Sequence, residues 1–219
     1  MTLEERTIGG LHDFLMTMVV PCYAVGRRRA VDLGAGSGAL AVRLASLGLD
    51  VLAVDINAEG YKADIPFVRV DLNERNFASQ LGEESFDLVT AVEVIEHLEN
   101  PIGFLRNIKQ LLKPDGVAVI TTPNVDNVPA RVKFLLGGKL RMMDERGDPT
   151  HISPIFWDLF TRQYLPKAGL VLIEHRTYPP NGFLLTRPAF AWLFRLLAKG
   201  LKGPALLGDN HIFVLGRAK

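Results

Sequence analysis

The chain has 219 residues, 48% of them apolar and 22% charged, which suits one sizeable core of ordinary globular composition. Its 25 basic and 24 acidic residues leave a formal charge of +1, excluding a global field that recruits nucleic acid or an anionic membrane, so any such partner needs a local patch. A single cysteine, Cys22, excludes an internal disulfide, and Glu4 and Glu5 stand where a secretory leader needs basic residues, so a cytoplasmic, single-domain protein over 1–219 is expected.

Short apolar runs alternate with amphipathic stretches, as in a layered α/β fold. Strands are expected at Ala30–Leu33, Val51–Asp55, Phe67–Val70, Phe86–Val92, Val117–Thr122, Leu170–Arg176 and Ile212–Leu215, with helical additions at 1–26, 124–165 and 183–207. The arginines Arg27 to Arg29 precede the first strand and are expected on the surface. That strand runs into VDLGAGSGAL, where Gly34, Gly36 and Gly38 leave no side chain between backbone and ligand and tolerate positive φ. A helix follows over Ala39–Leu47, with Leu40, Leu44 and Leu47 on one face and Gly48 as its stop.

Asp55 ends the second strand 21 residues past Gly34, placed to accept both hydroxyls of a ribose. The bend and the acid together mark a site for an adenosine-containing cofactor. Only 15 residues separate Asp55 from Asp71, with Gly60 and Pro66 among them, so a full helix there is excluded. That side of the sheet is expected to be thinly covered, with Ile8–Val20 available to cover it. Asn100 then caps a helix that starts at Pro101 and runs to Leu112, and Lys113 to Gly116 turn the chain.

These blocks, in this order, resemble the class I S-adenosylmethionine-dependent methyltransferases over roughly residues 25–180. VDLGAGSGAL is similar to that family's glycine motif, VLAVDIN to its ribose-binding strand end and FVRVDLN to its adenine-contacting acidic motif. FDLVTAVEVIEHLENP and LLKPDGVAVITTPN are similar to its fourth and fifth strands. Gly34, Gly36 and Ala39 also meet the looser GxGxxA pattern of dinucleotide dehydrogenases. Asp32, the third glycine at position 38 and Asp71 favour the methyltransferases.

The resemblance implies a three-layer, Rossmann-like sheet of seven mostly parallel strands with an antiparallel last strand. It implies S-adenosyl-L-methionine as cofactor. Asp32, Gly34, Ala35, Gly36 and Gly38 would border its methionine portion, Asp55 and Ile56 its ribose, Asp71 and Leu72 its adenine, and Val92 and Glu93 its sulfonium. As plain structure, Asp71 is a turn acid and Asp32 a carboxylate that organises the glycine loop.

Glu93, Glu96 and His97 stand at i, i+3 and i+4, the spacing of one helical face, and His151 can return from a later loop. The pattern resembles the metal site of small-RNA 2′-O-methyltransferases and of ubiquinone-pathway O-methyltransferases. A carboxylate and imidazole set suits zinc, manganese or iron better than magnesium. Metal-free relatives carry the same segment, so the divalent metal stays open and is not the favoured reading. Glu96, His97 and His151 are the catalytic candidates, an imidazole serving as base on an acceptor hydroxyl or capping a loop.

Residues 124–154 carry Arg131, Lys133, Lys139, Arg141 and Arg146, which either grip an anionic acceptor or form a solvated helical face. Residues 183–207 mix Phe190, Trp192, Leu193, Phe194, Leu196 and Leu197 with Arg195, Lys199 and Lys202. This stretch is too broken to span a bilayer, and fits a cap over the acceptor, core packing, a homodimer contact or peripheral lipid contact. The expected activity is methyl transfer to a small-molecule acceptor at oxygen, with an apolar or lipid-linked acceptor as an extension. Two alternatives remain. One is a non-catalytic cofactor-binding partner, similar to methyltransferase-like proteins of methionine biosynthesis through Pro123-Asn124, Arg131 and Leu135-Leu136. The other is RNA 2′-O-methylation, which near-neutral charge disfavours.

Overall fold

A computed structural model describes residues 3–145 and 147–218. Its strands are β1 Arg29–Leu33, β2 Asp50–Asp55, β3 Phe67–Arg69, β4 Phe86–Val92, β5 Leu112–Pro123, β6 Leu170–Tyr178 and β7 Asn210–Arg217. They form one sheet in the order β3-β2-β1-β4-β5-β7-β6. The pairs among β1 to β5 are parallel, and β7 lies antiparallel to both β5 and β6, so the expected sheet is the one observed. Ala30 pairs with Val51 on one side and Leu88 on the other. Central strands buried on both faces read as near-continuous apolar runs, which is why AVDL and FDLVTAV were legible.

Seven helices flank the sheet among the described residues. They are α1 (residues 11–24), α2 (Ala39–Ser46), α3 (Ala78–Leu81), α4 (Pro101–Leu111), α5 (Val128–Gly137), α6 (residues 157–168) and α7 (Pro188–Gly200). α1 and α6 each contain a wide π-wound turn, Leu15–Val19 and Phe160–Tyr164. Pro21 and Pro166 follow those turns, and a proline without an N–H leaves the carbonyl four residues earlier without its usual donor. Asn100 and Asn127 cap α4 and α5, accepting from Gly103 N and Ala130 N at 2.9 Å, contacts of a kind worth about 1 kcal/mol.

One sheet face is covered by α1 and α2, where Leu11 and Leu15 meet Leu40 and Leu44 over Val51 and Leu88. The other is covered by α3, α4 and α6, where Phe77, Phe104 and Phe160 lie over Val31, Val89 and Phe213.

Five expectations are corrected here. α1 packs beside α2 on the face opposite the Val70–Leu72 side and does not cover the adenine end. The short β2–β3 connection has only a three-residue turn, Ala58–Gly60, as expected, but that side is not left bare: Tyr61 seals it, its ring stacked on Phe67 at 4.4 Å. α2 stops at Ser46, so Leu47 leaves its face and is exposed. Lys113 to Gly116 do not turn the chain; they bulge out within β5, between the pairs Phe86–Leu112 and Leu88–Val117. Among the three arginines, Arg27 is no loose surface group: it donates to the carbonyls of Asp87 (2.8 Å) and Asp115 (2.9 Å) and ties β1 to the β4–β5 edge.

Candidate active site

The glycine bend is built by main-chain bonds. Gly34 N and Ala35 N both donate to Val54 O, at 2.8 and 3.0 Å, which fastens the end of β1 to β2. Gly34 has φ +74°, and a Cβ there would lie 2.4 Å from Val94 Cγ2. Gly38 has φ +90°, and a Cβ there would strike Ala63 and Tyr61, the loop that seals this side. Neither position admits a side chain without strain.

Asp55 spans the bend. Its Oδ2 accepts from Gly36 N and its Oδ1 from Asn57 N, both at 2.8 Å, which aims the carboxylate across the mouth of the loop. Asp32 lies below, fully buried, with Oδ1 accepting from Thr90 Oγ1 at 2.7 Å and Oδ2 without a partner. Burial pushes its carboxyl up to about 7, against the Thr90 hydrogen bond and with help from the nearby Asp55 charge. A buried carboxylate oxygen left unpaired is costly, and an ammonium group is the ligand that would satisfy it.

A cleft of about 550 Å³ opens over the bend, within the range typical of cofactor sites. Gly34, Gly36, Asp55, Ile56, Asp71, Leu72, Val92 and Glu93 line it. Ala35 and Asp32 line a smaller hollow that continues it. Gly38 works from behind, as the positive-φ start of α2. Asp71 lines the far end while its Oδ1 accepts from Asn73 N at 2.9 Å, so the turn role is present as well. These residues fit a nucleoside bearing an amino-acid tail: bare backbone, a buried acid with an unpaired oxygen at one end and a half-buried acid at the sugar position.

Beyond Val92 the backbone strains. Glu93 takes φ +55°, unusual for a residue with a side chain, and its Oε1 accepts from Thr121 Oγ1 at 2.8 Å. Its carboxyl, turned inward, is pushed up to about 7 by burial. The chain then forms a single 3₁₀ turn, Ile95–His97, too short for the expected helical face. Glu93 is therefore pointed at Thr121 and does not join the other three. Glu96, His97 and His151 do converge, with their ligand atoms within 4.8 Å of one another.

Glu96 is wholly buried, and neither carboxylate oxygen has a hydrogen-bond partner. Burial, reinforced by Glu93, holds its carboxyl well above the usual range. Its main-chain carbonyl accepts from Ile152 N and Ser153 N, both at 2.9 Å, which pins the loop carrying His151. The rings of His97 and His151 meet edge to face at 4.7 Å. Thr150 Oγ1 donates to Asp148 Oδ1 (2.6 Å), so it accepts from His97 Nδ1–H (2.8 Å). His151 Nδ1–H donates to Met142 O (2.8 Å). Both imidazoles thus keep an Nε2 lone pair available, the arrangement that suits proton acceptance or metal ligation. Burial, then the neighbouring His151, lowers the His97 pKa and keeps its ring neutral at pH 7.

The basic run does not form an anion grip. Arg141 is buried and pairs with Asp209 Oδ1 at 2.8 Å, Lys133 pairs with Asp144 and Lys139 with Glu145. Arg131 donates to the Asp126 carbonyl at 2.7 Å, and Arg146 lies outside the described residues. Cleft residues missed by sequence reasoning include Arg6, Asn57, Asn73, Asp148 and Thr150. Thr90 and Thr121 were also missed, although a buried hydroxyl in an apolar strand needs a hydrogen-bond partner.

A family model describing a methyltransferase domain matches residues 11–175, well over half the chain. The chain belongs to this methyltransferase domain family. A ubiquinone biosynthesis O-methyltransferase of Roseobacter denitrificans is 36% identical over 121 residues, covering 51% of this chain and 47% of that protein. One from Xanthomonas campestris is 30% identical over 127 residues, covering 55% and 53%. The match thus spans about half the length of these curated relatives. Among solved structures, a SAM-dependent methyltransferase from Archaeoglobus fulgidus shares the fold at TM-score 0.62, with 18% identity and 93% of both chains covered. A Burkholderia thailandensis 1,6-didemethyltoxoflavin-N1-methyltransferase, solved with bound 1,6-didemethyltoxoflavin and S-adenosylhomocysteine, does so at TM-score 0.58, with 17% identity over 93% of this chain and 78% of that one.

Proposed function

We propose that this methyltransferase domain binds S-adenosyl-L-methionine in the glycine-bend cleft and methylates an oxygen of a small-molecule acceptor, apolar or lipid-linked in the extended form of the reading. The observation that carries it is a cleft walled by the neutral imidazole of His97 and continued at the bend by a small hollow, where the buried acid Asp32 keeps one oxygen unpaired. The cofactor, when bound, supplies a methyl group on a cationic sulfur. Asp32 Oδ2 would hold the ammonium of its amino-acid end, Asp55 its ribose and the Asp71–Leu72 segment its adenine. His97, or His151 beside it, would accept the proton that the acceptor hydroxyl gives up, using Nε2 while Nδ1 stays bound to Thr150 or Met142. Most of the rate then comes from orientation, worth about 7–11 kcal/mol when the reacting atoms are aligned.

A second reading is favoured by one observation, the unpartnered oxygens of Glu96. With His97 and His151, Glu96 would hold a divalent ion of zinc, manganese or iron type that draws the acceptor oxygen in. Isothermal titration with S-adenosylhomocysteine tests the common core: binding that is lost in an Asp55→Ala variant is expected, and preferential binding of a nicotinamide dinucleotide would overturn the reading. Elemental analysis of protein purified without chelator separates the two versions. Metal-free protein whose methylation is indifferent to chelator sinks the second.

A further inference from the structure

α5 and α7 pack on each other and leave a broad apolar face uncovered, away from the cleft lining. Leu135 is 83% exposed, Leu136 81% and Trp192 68%, with Phe134, Phe190 and Leu196 each above half. α7 buries only Ala191 among its residues, so it is not core, and none of its residues lines the cleft. Single exposed apolar groups need no explanation, but this many on two helices that pack together do. The helices are held in place by buried links. Asn124 and Asn127 donate to the carbonyls of Ala205, Leu207 and Gly208, and Asp209 bonds both Arg141 and the Leu184 and Leu185 amides.

The charge on this face is one-sided. Residues 127–143 and 179–208 contain no Asp or Glu. Lys133 and Lys139 are neutralised by Asp144 and Glu145, but Arg187, Arg195, Lys199 and Lys202 are exposed and form no ion pair among the described residues. In a chain whose total charge is +1, the positive excess is therefore concentrated around exposed aromatic and leucine side chains. No described helix is long and apolar enough to cross a membrane. A second copy would bring its own unpaired cations against these across a two-fold axis, which like-charge repulsion disfavours.

We infer that the α5–α7 face docks on a lipid bilayer carrying anionic headgroups, its leucines and Trp192 entering the interface while the α7 cations meet the phosphates. This rests on surface composition alone and is independent of the methylation reading.

The test uses the full chain with vesicles of phosphatidylcholine alone or with added phosphatidylglycerol. Co-sedimentation with the anionic vesicles is expected, weakened by salt, together with a blue shift of tryptophan emission that a Trp192→Phe variant lacks. Lys199→Glu should weaken binding about fivefold or more, the worth of one cation near such a surface. A Leu135→Glu, Trp192→Glu variant should stay in the supernatant while keeping its affinity for S-adenosylhomocysteine, which certifies that it is folded. Sedimentation with neither vesicle, or equally with both, overturns the proposal. So does a dimer in light scattering that these glutamates dissolve, since the face would then join two copies.

Discussion

The two walls of the cleft are made in different ways. The glycine bend is fixed chiefly by its own main chain and by β2, through Val54 O and Asp55, so most of its hydrogen bonds stay within about one βαβ unit. The histidine wall is assembled from side chains more than fifty residues apart, with Thr150 orienting His97 on its three-residue turn and Met142 orienting His151 on its loop. A backbone-made site tolerates changes in side chains but none in conformation. A side-chain-made site behaves the other way, and its parts can be removed one at a time.

The largest test of that contrast falls on the histidine wall. His97→Ala should lower kcat by about a hundred- to ten-thousand-fold, while affinity for S-adenosylhomocysteine stays within about twofold. The wild-type rate should rise with pH through a value below the ordinary histidine range and then level, because the base must be neutral and its pKa is lowered. If cofactor affinity falls with kcat, the two walls are not separable.

The bend should fail conformationally. Gly34→Ala places a Cβ at φ +74° against Val94, and should cost about 2–4 kcal/mol in thermal or urea denaturation. Adding Val94→Ala should return only the overlap part of that loss and leave the backbone part. Full recovery would mean that φ is irrelevant there.

The smallest effect sharpens the electrostatics. The Asp32 pKa is raised in the folded chain, so its contribution to stability is complete below the ordinary carboxylate range and is lost as pH rises through about 7. Cofactor affinity should run in the opposite direction. It should increase roughly tenfold across that window, because only the ionised acid attracts an ammonium. Asp32→Asn should flatten the trend in a calorimetric pH series.

The same contrast explains what could be read from sequence. The strands, α2, the Asn100–Pro101 start of α4 and the acid at the end of β2 are local, and each is set by neighbours in the chain. Glu93 leaves the face of Glu96 and His97 because the turn after it is 3₁₀ and its own φ is positive, which i, i+3 spacing cannot reveal. Within the basic run, Arg131 and Lys139 are solvated, while Arg141 belongs to neither an anion grip nor a solvated face because it finds Asp209 across 68 residues. The bulge at Lys113–Gly116 depends on where Phe86 pairs, a fact about another strand. Residues 183–207 stay open among cap, core packing, dimer contact and lipid contact in the sequence because an amphipathic pattern names a face without naming what lies opposite.

The position of β7 has a consequence for how the molecule comes into being. It wedges between β5 and β6, made earlier, and until it arrives those two edges have no partner. During synthesis the nucleotide half can therefore mature while the opposite edge still waits, open to chaperones and to mispairing. Lesions in Asn210–Arg217 should then show first as aggregation of new protein and only second as loss of activity.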